Sequence, residues 1–280
     1  KYEAKRINIS ASLVSTYTKE EVSTGNAASK RFRLSPMLGV SWLFHRDFRL
    51  RASYKDGFRM PTFNDLYYAR VGNVNLKPET ASQFNLGMTF TGSYDWGSAD
   101  ITADAYYNFI KDKIVAVPTM FIWKMRNAGE VAMYGTDVTA SILWRACEWL
   151  KIHALANYSL QYALDVTDPD SKNYRHQIPY TPRHCGSGNL ILETKWLNLA
   201  YRMSASGRRY SNNQNIPANE ISAYADHSIS LNREFNFGSS HDFKMYVSME
   251  VLNLADLNYQ IIHYYPMPGR SLRLTIKFKY

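Results

Sequence analysis

Polar and apolar positions alternate over most of this chain. The last stretch does so without a fault. Leu272, Leu274, Ile276, Phe278 and Tyr280 fall on one side, and Ser271, Arg273, Thr275, Lys277 and Lys279 on the other. Period two marks a strand with one apolar and one polar face. Roughly ten residues are enough for a tilted strand to cross a bilayer. The same alternation recurs at residues 5–17, 31–44, 48–55, 81–91, 101–109, 136–144, 152–160, 186–193, 197–203, 223–235 and 243–254.

The connections between these segments have a rhythm of their own. Short turns are expected at 45–47, 92–98, 145–148, 194–195 and 236–240. Long polar or Gly- and Pro-bearing loops are expected at 19–30, 57–80, near Pro118, and at 165–182, 207–222 and 255–268. Long and short connections therefore alternate between about twelve antiparallel strands, the pattern of an outer-membrane β-barrel with short turns on the periplasmic side and long loops outside. A soluble β-sandwich acting as a binding module is the competing architecture, but its Greek-key crossings give no reason for such regularity. A passive porin or a stand-alone twelve-stranded barrel also fits the count.

Composition changes this picture little. The chain has 280 residues, 45% hydrophobic and 14% aromatic, with 21 tyrosines, and reads as one domain, 1–280. No apolar run of about 18 residues exists, so a membrane-spanning helix is not expected. The mean hydropathy of −0.37 does not argue against a membrane barrel, whose alternation hides half of its apolar residues from any window average. The net charge of +9 is spread through the strands and not gathered in a run, so no nucleic-acid partner is expected. Cys147 and Cys185 make neither a metal pattern nor a disulfide framework. The sequence holds no G-x-S-x-G, H-E-x-x-H, P-loop or G-x-G-x-x-G motif, so no catalytic residue, metal site or cofactor is expected.

Three stretches say more than periodicity. Gly57-Phe-Arg-Met-Pro-Thr-Phe-Asn-Asp-Leu-Tyr-Tyr68 is followed by Gly72-Asn-Val-Asn-Leu-Lys-Pro-Glu-Thr80; Val251-Leu-Asn-Leu-Ala-Asp-Leu-Asn-Tyr259 is followed by Tyr265-Pro-Met-Pro-Gly-Arg270; and Asn127-Ala-Gly-Glu-Val-Ala-Met-Tyr-Gly135 lies between them. Together these resemble the barrel of TonB-dependent outer-membrane receptors, nearest to the siderophore and cobalamin branch, with Ala255 standing where an aromatic is commoner. The resemblance implies an active transporter of the bacterial outer membrane for a scarce nutrient. Its barrel would have 22 strands around a plug, and its energy would come from the TonB complex of the inner membrane. The chain would then be the C-terminal portion of that barrel, with the plug absent. Implied partners are the TonB complex, outer-membrane lipid, a small nutrient ligand and a surface lipoprotein.

Two sets of candidate site residues follow. Aromatic and amide side chains in the long loops suit a large, partly apolar ligand with a polar rim: Phe63, Tyr67, Tyr68, Arg70, Trp123, Tyr210, Asn213, Tyr264 and Tyr265. Residues 62–68 are expected to start a short helix capped by Thr62, with Tyr67 and Tyr68 partly buried. Basic residues on the polar strand faces, Arg49, Arg51, Arg202, Arg273 and Lys277, either face the plug or form a wall balanced by Asp104, Asp137 and Glu250. Trp42, Trp144, Trp149 and Trp196, close to the short turns, read as an interfacial girdle.

Overall fold

A computed structural model describes residues 2–3, 6–23, 30–118, 123–127, 129–237 and 243–279. In chain order the elements begin with β1 (Tyr2–Glu3), β2 (Ile7–Thr18), β3 (Arg31–His45), β4 (Phe48–Arg59) and a short helix α1 (Phe63–Tyr67). Then follow β5 (Glu79–Tyr94), β6 (Gly97–Lys111), β7 (Ile114–Pro118), β8 (Trp123–Asn127), β9 (Val131–Cys147), β10 (Leu150–Asp165), β11 (His184–Thr194) and β12 (Asn198–Ser206). The chain continues with β13 (Arg209–Tyr210), a 3-10 turn at Pro217–Asn219, β14 (Glu220–Ile221), β15 (Tyr224–Phe237), β16 (Phe243–Leu252), β17 (Gln260–Ile262), β18 (Tyr265–Pro266) and β19 (Ser271–Lys279).

Twelve long strands and the two-residue β1 make one sheet in the order β1-β2-β3-β4-β5-β6-β9-β10-β11-β12-β15-β16-β19. The remaining strands pair as three small hairpins, β7–β8, β13–β14 and β17–β18, all in the long connections. Among the described residues no helix is long and apolar enough to cross a membrane, which says nothing of strands.

The strands run further than their side-chain pattern. β4 continues to Arg59 and β5 begins at Glu79, so the loop expected at 57–80 is shorter at both ends. β9 runs through Cys147, which the sequence placed in a turn, and the turn between β5 and β6 is only Asp95–Trp96. Ladder hydrogen bonds belong to the backbone, so pairing persists past the last alternating residue. Cys147 and Cys185 are both free.

The chain forms two compact units. One comprises Lys1–Met88, Asp104–Gly135 and Tyr162–Ile178; the other Thr89–Ala103, Thr136–Gln161 and Pro179–Tyr280. In the first, β2, β3 and β4 set Leu38 opposite Tyr54 and Val40 opposite Ala52 on the apolar face, and Ser41 opposite Arg51 on the polar one. In the second, β11 to β19 repeat the arrangement, with Leu190 opposite Tyr201 and Met249 opposite Leu274. Leu272, Leu274, Ile276 and Phe278 are exposed, as are Ser271, Arg273, Lys277 and Lys279 on the other side of β19; Tyr280 lies outside the described residues. Trp149 and Trp196 are exposed beside the short turns, with ring centroids 5.8 Å apart.

A single-layer sheet buries little by itself. The compact apolar core of the first unit lies instead under the long loops: Leu66, Leu76 and Ile114 are buried, with Tyr67, Val74 and Met125 packed against them.

The facing of β19 can be measured. Leu274→Arg should cost roughly 2–4 kcal/mol of barrel stability at mid-membrane depth, and Thr275→Arg much less. Heat-modifiable migration of outer-membrane preparations checks this, and equal effects would mean the apolar face meets no lipid.

Candidate functional site

The loop after β4 is built by its own sequence. Thr62 caps α1 through a reciprocal box: the Asp65 amide donates to the Thr62 hydroxyl at 3.2 Å, and the Thr62 amide donates to Asp65 Oδ2 at 2.9 Å. The Arg59 guanidinium then joins two carboxylates, Asp65 at 3.1 Å and Glu79 at 2.8 Å. Glu79 also accepts from the Ile114 amide at 2.7 Å. Gly72 packs on the helix backbone, where a β-carbon would lie 2.6 Å from the Leu66 carbonyl. Asn73 donates to the Met125 carbonyl at 3.1 Å. Asn127 accepts from the Lys77 amide and donates to the Lys77 and Asp112 carbonyls, each at 2.8 Å. The motif residues therefore brace the loop against the β7–β8 hairpin.

A second brace ties in the connection after β2. Arg31, buried at the start of β3, pairs with Glu20 at 3.0 Å and donates to the Leu76 carbonyl at 3.2 Å. The Tyr67 hydroxyl donates to the other Glu20 oxygen at 2.6 Å. Tyr67 is thus half-buried, as expected, with its polar end already engaged. Tyr68 is not: it lies past the helix end and is 62% exposed, because the five-residue helix turns it away from the core. Phe63, 71% exposed, lies tilted against the Tyr67 ring, with centroids 6.0 Å apart. Arg70 is exposed at a left-handed φ of 66°. Trp123 opens β8, and its side chain lies outside the described residues.

In the second unit the loops after β12 and β16 are fastened together. Arg209 is buried and donates to the Gln260 and Ile261 carbonyls at 2.6 and 3.0 Å. Its guanidinium lies 5.6 Å from the Tyr224 ring, which stacks on Tyr259 at 4.3 Å. The Tyr259 hydroxyl donates to Asp226 at 3.0 Å. Burial and this bond push the Tyr259 phenol up to about 12. Asn253 donates to the Leu257 and Pro268 carbonyls, and Asp256 accepts from the Arg270 amide at 2.8 Å. The closing motif is thus a knot that delivers the chain to β19. Tyr264 and Tyr265 stand clear of it, 80% and 70% exposed. Tyr210 and Asn213 are half-buried, Tyr210 in the β13–β14 ladder and Asn213 in the connection that follows.

Three of the five basic residues of the polar face have acidic neighbours. Arg51 pairs with Asp104 at 2.9 Å. The bond passes over Gly87, where a β-carbon would lie 1.8 Å from Asp104 Oδ1 and 3.0 Å from Arg51 Nη2. Glu250 accepts from Arg202 at 3.2 Å and from Arg273 at 3.4 Å. Arg49 donates to the Ser41 hydroxyl at 3.2 Å, and the Lys277 ammonium sits 5.9 Å from the Tyr246 ring. Three of the five thus pair with carboxylates, while Arg49 and Lys277 meet a hydroxyl and an aromatic ring. Sequence reasoning missed Arg31, Glu20, Arg59 and Arg209, whose partners lie across separate loops. Only Arg59 and Glu79 carried a signal, their place in the motif.

An antiparallel sheet of twelve long strands, apolar on one face and polar on the other, joined by alternating short turns and structured loops, is the strand pattern of outer-membrane β-barrel proteins. Residues 2–254 match the family described as TonB dependent receptor-like, beta-barrel, and the chain belongs to that family. The vitamin B12 transporter BtuB of Vibrio vulnificus (strain YJ016) is 36% identical over 91 residues, 32% of this chain and 14% of the transporter. The vitamin B12 transporter BtuB of Photobacterium profundum is 28% identical over 109 residues, 37% of this chain and 17% of the relative. The chain thus matches less than a fifth of the length of these curated relatives. In fold it is similar to the FrpB iron transporter of Neisseria meningitidis, with a TM-score of 0.71 at 16% identity, covering 99% of this chain and 44% of that one. It is likewise similar to BauA, the ferric preacinetobactin receptor of Acinetobacter baumannii, with a TM-score of 0.72 at 12% identity, covering 98% and 40%.

The α1 brace has a pH signature. Burial raises the Asp65 carboxyl, but hydrogen bonding from Thr62 and the charge and hydrogen bond of Arg59 outweigh it and hold the group below its ordinary range. A depressed carboxylate contributes stability that is present above the unfolded value of about 3.9 and lost as pH falls through the lower folded value. Amide protection of residues 64–73, corrected for intrinsic exchange, should stay constant from neutral pH down to about 5 and fall only below about 4. Asp65→Asn should lower protection at neutral pH and flatten that profile. Gly72→Ala should loosen the same segment at every pH, because the clash is with backbone.

Proposed function

We propose that the chain forms the C-terminal portion of the barrel of a TonB-energised receptor that imports a scarce nutrient across the outer membrane. The observation that carries this is the family match over residues 2–254, with the loop signatures in their structural places. The vitamin B12 transporters among its relatives and the iron and ferric-siderophore transporters among its fold neighbours favour a corrinoid or a ferric chelate as ligand. The protein acts as a transporter and not as an enzyme. Its further partners in this reading are the TonB complex, lipid against the apolar sheet face, and a surface lipoprotein over the loops. Phe63, Tyr68, Tyr264 and Tyr265 are the exposed loop aromatics that suit ligand contact. Tyr67 and the five basic residues of the polar face act in the scaffold.

The test is uptake of labelled cyanocobalamin and of a panel of ferric siderophores by cells carrying the full-length receptor, with and without TonB. Uptake of one of them is expected, abolished without TonB. Uptake that persists without TonB would favour a passive porin. Phe63→Ala combined with Tyr68→Ala should weaken binding of the transported ligand about tenfold, the scale of one lost aromatic contact pair, with the barrel still heat-modifiable. Tyr67→Phe should instead loosen the connection after β2, read by hydrogen exchange at residues 19–23.

A further inference from the structure

The polar face of the second unit holds a pocket that none of the loop aromatics uses. Two adjacent rungs of the sheet build it. Asn157, Ser187, Ser204 and Asp226 lie opposite one another along the first, across β10, β11, β12 and β15. Asn189, Arg202 and Ser228 form the second, one rung further from the long loops. They line a cavity of about 360 Å³, within the size range of small-molecule sites. Asp226 is the third residue of β15 and Ser204 the third from the end of β12. The pocket therefore lies just below the long-loop end, where a solute entering from outside arrives.

Two of its acceptors are orphaned. Oδ1 of Asp226 and Oδ1 of Asn189 are shielded from solvent and have no hydrogen-bond partner among the described residues. Buried acceptors are normally paired, and each one left open carries its full desolvation penalty. The other Asp226 oxygen is held by the Tyr259 hydroxyl, so the carboxylate cannot swing away to find a partner. Arg202 is drawn toward Glu250, which Arg273 shares. Within the lining Arg202 and Asp226 carry one charge of each sign, so the pocket requires hydrogen-bond donors without requiring a net charge. One strand, β12, separates the two orphaned acceptors, and they stand two residues apart along the strands; two inter-strand spacings and two rises set their backbones roughly 12 Å apart.

We propose that this pocket is a subsite for a solute presenting N–H donors, as carboxamide or ammonium groups, at two points about 12 Å apart. Arg202 and the serine hydroxyls serve the acceptor atoms between them. A single lysine or arginine side chain reaching in would satisfy one acceptor and leave most of the volume unfilled. The proposal rests on the uptake reading and names the ligand chemistry that reading leaves open.

The experiment is calorimetric titration of the full-length receptor, purified from outer membranes in detergent, with two probes. Cyanocobalamin carries carboxamides around its ring; spermidine carries ammonium groups. At least one should bind the wild-type receptor, and Asn189→Ala should weaken that probe about tenfold, the effect of one lost charge-free hydrogen bond. Asp226→Asn should weaken spermidine far more than cyanocobalamin, which separates the two donor chemistries. Heat-modifiable migration verifies assembly, and Asn189→Ala decides alone where Asp226→Asn fails to assemble. Binding of neither probe, or wild-type affinity in the assembled variants, overturns the subsite. TonB-dependent uptake alongside unchanged affinities would sink the subsite and leave the receptor reading standing. Loss of TonB dependence with the variant effects intact would do the reverse.

Discussion

A backbone in a bilayer has no water to bond with, so each amide and carbonyl must find a partner in the protein. Strands can meet that demand only from their neighbours, and this requirement governs the rest of the molecule. It extends the ladders past the alternating residues, as at Arg59 and Glu79. It divides each strand into two chemically distinct faces. It also removes the usual place for a hydrophobic core, because a single sheet has one apolar face, one polar face and no second layer to pack on. What would be core in a soluble domain is confined to the loops, around Leu66, Leu76 and Ile114.

The signature residues divide between scaffold and surface. Arg59, Asp65, Glu79, Gly72 and Asn127 hold α1 to the β7–β8 hairpin, and Asn253, Asp256 and Arg270 hold the final loop. Residues bonded in this way fix where a loop stands. The side chains of Phe63, Tyr68, Tyr264 and Tyr265 lie outside these braces and stand exposed. The arrangement is that of a frame that positions exposed loop side chains.

The strands were legible because two solvents imprint on alternate residues, and that imprint survives in a single sequence. Their ends were not, since hydrogen bonding ignores side-chain polarity. The β7–β8 hairpin was missed because five-residue strands show too few alternations and Pro118 speaks against one of them. Thr62 as a helix cap was readable from local chemistry, while Tyr68 was misjudged because the direction it takes depends on where a five-residue helix stops. The Arg31–Glu20–Tyr67 brace joins three separate segments and leaves no spacing to detect. The same is true of the pocket at Asp226 and Asn189, which exists only once β11, β12 and β15 are in register.

The small core beneath the loops answers to a different thermodynamics from the wall below it. Its apolar groups were withdrawn from water, so their burial carries a heat-capacity change and weakens on cooling. The ladders in the membrane have no such term of comparable size, since lipid is as apolar as the side chains it touches. Temperature therefore acts on the two parts separately. Chilling weakens the packing around Leu66, Leu76 and Ile114 more than it weakens the ladders of the sheet, and the order of these loops is set by temperature as much as by sequence.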